Sequence, residues 1–342
     1  MPSTDRESQR IDSLSWTTPP FDERLAIGFI LLSALAYSLL PVLAAYALDT
    51  LDPLVYVAKS FFQYAILQTV VWALLRAVLR RESPAPFLLG SFPRTCTVIL
   101  VSGVLIGISY SCLFASFFMI NKAGASVLYE TWPILVTIGL PLLIKRRFHR
   151  LVAIDVVYIG IAFIGIVLVV GSSAETESAR LDRSQGETKM WLGYTLAISS
   201  AVSMALAVIL KAHLMSALRL GRSAMPTIAY VEATHRLAGG TVLLAIACSL
   251  SEVTVDDLLR VDISMAFALL ELVGASAFWL AIVATRRSII NLLWYLAPML
   301  AVVWLGLLGL AQVSSPIVLG AALIIIANVL VQRRSDGLQR SL

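Results

Sequence analysis

Ten apolar runs divide this 342-residue chain, at about 25–48, 53–79, 96–120, 124–144, 151–170, 190–213, 226–250, 263–285, 288–310 and 315–332. Each is long enough to cross ~30 Å of hydrocarbon as a helix rising ~1.5 Å per residue. In lipid every backbone group must be satisfied within the protein, so runs of this length are helices. Composition agrees. Hydrophobic residues make up 59% of the chain and charged ones 14%, where an ordinary soluble domain carries about 25% charged residues. Mean hydropathy is +0.87. The expected fold class is an all-α integral membrane protein with ten transmembrane helices.

The connections set the orientation. Most are short, and the longest polar one, 171–189, separates runs five and six. With the N-terminus inside, 19 of the 26 Lys and Arg fall on inner segments and five on outer ones, and Lys59 and Arg236 lie within helices. This bias places both termini in the cytoplasm of a multi-pass cell or inner membrane protein. The organisation expected is a cytoplasmic tail over 1–24, a first five-helix unit over 25–170 and an outer linker over 171–189. A second five-helix unit over 190–332 and a cytoplasmic tail over 333–342 complete it. No cleavable signal peptide is apparent in the polar N-terminus. The three cysteines, Cys96, Cys112 and Cys248, lack paired spacing and read as small buried hydrophobes.

The fourth run, Gly124–Ile144, carries one charge, Glu130. A carboxylate at the bilayer centre costs roughly 2.5–3.5 kcal/mol on insertion scales, so it must face protein or water. Pro133 follows three residues later and removes a helix hydrogen bond. Ser126, Glu130, Pro133 and Thr137 share one helical face. A near copy returns 165 residues on, in Asn291–Leu310, with Pro298 at the place of Pro133, Tyr295 at that of Glu130 and Asn291 at that of Ser126. Ser38 and Ser203 keep the same spacing, and Gly107-Ile108-Ser109 has a counterpart in Gly274-Ala275-Ser276. Five helices is an odd number, so the second unit would enter the membrane from the opposite side. The expectation is two inverted five-helix repeats.

At this point the chain resembles the drug/metabolite transporter superfamily, in particular its ten-helix EamA-type permeases. The resemblance rests on NKAGASVLYETWP and RRSIINLLWYLAP at equivalent places, on Gly193-Tyr194-Thr195-Leu196-Ala197 opening helix six, and on Gly320 followed by AALIIIANVLV. It covers about 25–332. It implies small-molecule transport, often export, through a central cavity between the two halves.

The ionisable residues inside the runs are the candidate site. Lys59 and Glu130 each sit about seven residues in from the outer side, so the two can form an ion pair. It would serve either as a pin between helices or as a substrate or proton site. Glu232 and Arg236 are four apart in helix seven and can pair there. Arg236 can also meet Glu271 of helix eight near mid-membrane, and His235 reads as an interior or interfacial histidine. Tyr37, Trp132, Trp294 and Tyr295 are candidates for the cavity wall, and Tyr295 leads them because it replaces Glu130 in the repeat. Gly103 and Gly107 form a GxxxG, read as close helix packing. The substrate-binding set is thus Lys59, Glu130, Arg236, Glu271 and Tyr295.

No catalytic group, metal site or cofactor is expected. The chain contains no phosphate-binding, zinc-protease or hydrolase motif. Pumping by its own ATP hydrolysis is therefore not expected. The function expected is that of a secondary permease working by alternating access, with uncoupled facilitated diffusion as the variant. The alternative from another class is a membrane-embedded enzyme acting on a lipid, which would need clustered catalytic groups. The partners expected are a small-molecule solute and the lipid bilayer, with no nucleic acid; a homodimer is left open.

Overall fold

The computed structural model describes residues 23–79, 92–136, 153–178, 183–217, 225–250, 260–284 and 292–340. These residues form ten α-helices and no strand. They are α1 (Glu23–Ala47), α2 (Pro53–Leu79), α3 (Phe92–Ser116), α4 (Lys122–Tyr129), α5 (Ala153–Ser178), α6 (Arg183–Ala217), α7 (Met225–Leu250), α8 (Ile263–Ala284), α9 (Leu296–Leu307) and α10 (Ser315–Arg340). Five of them, α1, α2, α3, α6 and α8, are long and apolar enough to cross a membrane.

The distribution of polarity is inverted relative to a soluble protein. Leu74, Phe118, Phe163 and Trp191 stand more than half exposed on the outside, while Lys59, Gln63, Glu232, His235, Arg236 and Glu271 are buried. A continuous apolar exterior of this kind needs a nonaqueous covering. The fold is that of a helical membrane protein.

The most extensive pairings are α2 with α7, α1 with α8, α3 with α6 and α5 with α10, followed by α3 with α7, α1 with α9 and α2 with α8. Small residues set the closest approaches. A Cβ on Gly103 of α3 would lie 2.2 Å from the His235 carbonyl oxygen of α7, and one on Gly239 would lie 2.4 Å from the Gly103 carbonyl oxygen. Gly165 of α5 and Gly320 of α10 face each other in the same way. Backbones in contact gain dispersion energy that lipid cannot supply, and only glycine permits it. Ser109 of α3 adds a hydrogen bond to the Ser200 carbonyl of α6, 2.8 Å.

Several boundaries differ from expectation. The segment 171–189 is helical where described, because α5 continues to Ser178 and α6 begins at Arg183. α10 continues through most of 333–342. The N-terminal tail 1–24 lies outside the described residues as far as residue 22, as does Thr137 of the shared helical face. Cys96 and Cys248 are exposed and Cys112 half-buried, so the cysteines are not the buried hydrophobes expected; each lies on a helix with an apolar outer face.

Candidate functional site

The fourth run is not one continuous helix. Asn121 caps α4, accepting from the amides of Ala123 (2.9 Å) and Gly124 (3.4 Å). The helix closes at Tyr129, Glu130 and Thr131 make a turn, and helix resumes at 132. The turn tightens as helix ends commonly do. The Glu130 amide is shared between the carbonyls of Ser126 and Val127, and Thr131 donates both its amide and its hydroxyl to the Leu128 carbonyl. Pro133 has no amide to offer Tyr129, which places the break one turn before the proline. Asn328 of α10 donates to the Glu130 carbonyl at 3.3 Å and supports the turn from outside.

The corresponding place in the ninth run is also irregular. A 3-10 turn, Leu292–Tyr295, precedes α9, and Pro298 lies three residues beyond the turn. In both runs the irregular backbone includes a residue of the matched pair, Glu130 and Tyr295.

Between the break at Glu130 and the 3-10 turn lies a cavity of about 170 Å³. Aromatic rings dominate its wall. Trp294 is at the centre, with ring centroids 5.6 Å from Tyr37, 5.9 Å from Trp132 and 6.0 Å from Phe278. Tyr110, Phe114, Tyr129 and Trp279 also contribute, with Pro41, Pro298 and aliphatic side chains between them. Tyr37 rests on Gly274, where a Cβ would approach the ring to 2.9 Å.

Four charged residues reach the cavity: Glu130, Lys211, Glu232 and Arg236. Lys211 of α6 pairs with Glu232 of α7. The Trp279 indole N–H also donates to Glu232, at 3.1 Å, and the Lys211 ammonium lies 5.3 Å from the Trp279 ring centroid. Arg236 pairs with Glu271. Its guanidinium lies 4.5 Å from the ring centroid of Phe61, 5.4 Å from Tyr64 and 5.7 Å from Tyr110, distances at which an aromatic face stabilises a cation. Glu130 enters no ion pair among the described residues, and its Oε2 is buried without a hydrogen-bond partner.

Of the five expected site residues, Glu130 and Arg236 line the cavity, and Glu271 lies behind Arg236 as its partner. Tyr295 is buried beside Trp294 but does not reach the wall. Lys59 is elsewhere. It does not pair with Glu130; its ammonium meets Asp262, at the start of α8, at 2.5 Å. Equal depth placed Lys59 and Glu130 at one level, but depth says nothing about which side of the helix each occupies. The pair within α7 is likewise replaced: Glu232 takes Lys211 and Arg236 takes Glu271. His235 is fully buried, and neither ring nitrogen has a hydrogen-bond partner among the described residues. Of the four aromatic candidates, Tyr37, Trp132 and Trp294 are on the wall.

Lys59 and Asp262 belong to a set of polar contacts that closes one end of the bundle. Gln63 donates to the Arg260 carbonyl at 3.4 Å and accepts from Ser264 at 2.8 Å. Asn121 donates to the Gln312 carbonyl at 2.7 Å, and Lys122 reaches the Ala45 carbonyl at 3.5 Å. The first group ties α2 to the start of α8 and the connection before it, and the second ties the α3–α4 connection to α1 and to the α9–α10 connection.

No protein-family model and no curated protein matches this chain. A solved structure, described only as a crystal structure of protein, aligns with a TM-score of 0.53 over 90% of this chain and 96% of its own, at 18% identity. At that identity the likeness concerns the fold alone, and it extends over nearly the whole of both chains.

Proposed function

We propose that this protein is a secondary transporter that moves a small organic solute by alternating access, as expected of an EamA-type permease. The observation that carries the reading is the aromatic, charged cavity between the break in the fourth run and the 3-10 turn of the ninth. Interrupted helices meeting near the bilayer midplane are a recurrent way to build a transporter site, because unwound backbone and half-helix ends turn polar groups toward a solute.

Ten spans arranged as two inverted repeats fit the packing. Exchanging each helix with the one five places later turns the α1–α8 pairing into α6–α3, and α2–α8 into α7–α3. The same exchange maps α2–α7, α4–α9 and α5–α10 onto themselves. With both termini cytoplasmic, the end held by Lys59–Asp262 and Asn121–Gln312 is external. The side toward Lys211, Glu232 and Trp279 is then internal.

The test is a solute-wide uptake and efflux screen in reconstituted vesicles, with and without a pH gradient. Saturable flux of a small solute is expected. Absence of flux for every solute in correctly folded, oriented vesicles would remove the transport reading. Cysteine-accessibility labelling checks the sidedness: 171–189 should react from outside, and 80–95 and 145–150 from inside.

A further inference from the structure

Resting on the transport reading, we propose that the solute is an organic monocation whose charge sits against Glu130 and whose apolar part lies among the rings of Trp132, Trp294 and Tyr37. The charges on the cavity wall carry the argument. Both cationic side chains there, Lys211 and Arg236, already have carboxylate partners in Glu232 and Glu271. Glu130 is the one wall carboxylate among the described residues with no counter-charge, and its Oε2 is shut away from water with no donor. Glu130 as a whole is half-buried with this one oxygen enclosed, and a carboxylate in this state is completed by a cation or by a proton. A neutral solute supplies no counter-charge and leaves only the proton to complete it. An anion meets like charge. A zwitterion's carboxylate would meet only Nε and Nη1 of Arg236, which have no partner among the described residues but belong to a guanidinium already neutralised by Glu271.

The rings select the same ligand. Indole is the strongest cation–π partner among the side chains. Trp132 and Trp294 stand edge to face, with their planes 70° apart, so they present surfaces in different directions. Such a box suits a compact alkylated or arylalkyl ammonium. The cavity, at about 170 Å³, is of the order of the engineered apolar cavity of about 150 Å³ that admits a benzene ring.

The experiment is calorimetric titration of the full chain in detergent with three probes. These are benzyltrimethylammonium, its uncharged isostere neopentylbenzene, and phenylalanine as a zwitterion. The cation should bind most tightly. Glu130→Gln should weaken it at least tenfold, Glu130→Asp should retain much of the affinity, and neopentylbenzene should be indifferent to both changes. Cation binding that is unaltered in Glu130→Gln of normal melting temperature overturns the proposal. So does binding of neopentylbenzene or phenylalanine as tight as that of the cation to the unaltered protein, a comparison that needs no variant to fold. Vesicle flux separates the two readings. Saturable flux of other solutes without cation binding sinks the substrate class and leaves transport standing. Glu130-dependent cation binding with no flux of any solute keeps the site and sinks transport.

Discussion

Lys59 and Asp262 are 203 positions apart in sequence and 2.5 Å apart in space, with the lysine almost fully buried and the aspartate about one-quarter exposed. The pair ties the first turns of α2 to the start of α8. Burial alone would raise the Asp262 pKa, but hydrogen bonds from Lys59 and Ser264 outweigh it and hold the carboxyl below its ordinary value. A depressed carboxylate contributes stability above the unfolded value, ~3.9 for Asp. That contribution is lost as pH falls through the folded value.

Asp262→Asn should therefore lower stability by about 1–3 kcal/mol at neutral pH by leaving the Lys59 ammonium buried and unpaired. Melting temperatures recorded from pH 7 to pH 3 should converge for the two proteins at the acid end. A constant difference across that range would mean that the pair contributes nothing through charge.

Arg236 and Glu271 make the deeper pair. Glu271→Gln leaves a guanidinium without its counter-charge in the interior and should cost about 3–5 kcal/mol. Replacing both, as Arg236→Met with Glu271→Leu, should be less damaging than the single change, because no charge then remains to desolvate. Thermal unfolding in detergent of the two singles and the double measures the coupling.

Glu130→Gln has a different expected profile. Its side chain holds no described partner together, so the variant should fold and melt like the parent. If Glu130 exchanges a proton or a cation during transport, accumulation driven by a pH gradient should fall at least tenfold in vesicles containing it. Unchanged rate and pH dependence in that variant would end the role given to Glu130.

The α5–α10 contact yields a packing prediction with its own control. Gly165→Val would put a Cβ 2.7 Å from the Gly320 carbonyl oxygen and 3.0 Å from Ile324 Cγ1. Overpacking of this kind should cost about 1–3 kcal/mol. Gly160→Ala, on the same helix with nothing within 4 Å of its new Cβ, should leave the melting temperature unchanged.

How far the fold was readable from sequence depends on the physics of each signal. Each apolar run overlaps one of the ten described helices, because hydropathy is a property of each run alone, and five of those helices are long and apolar enough to cross a membrane. Pro133, Pro298 and their 165-residue spacing marked the two irregular runs. The break itself lies at Glu130–Thr131, one turn ahead of the proline, and needed the hydrogen-bond pattern to be seen. Arg236 had two candidate partners from sequence, Glu232 and Glu271, and the structure selects Glu271, while Glu232 goes to Lys211. Lys59 was misassigned because its true partner, Asp262, looked like part of a polar connection. Lys211 was counted among the inner-loop cations because it lies near the end of an apolar run. A lysine's long stem lets its ammonium reach several ångströms from its own Cα, and here it joins Glu232 and Trp279. Its i to i+21 relation to Glu232 leaves no periodic trace.

Each of the most extensive helix pairings joins one of the first five helices to one of the last five. This has a bearing on how the chain is made. When α5 leaves the ribosome, the faces of α1, α2, α3 and α5 that will be buried have no partners, and Gly103 and Gly165 present bare backbone to lipid. The N-terminal half is thus an unfinished surface during synthesis, exposed for as long as the remaining residues take to emerge at ~5–20 per second. A fragment ending near residue 178 should insert but be short-lived in cells. Supplying 183–342 as a separate chain should rescue it, since the missing contacts lie between the pieces and not within them.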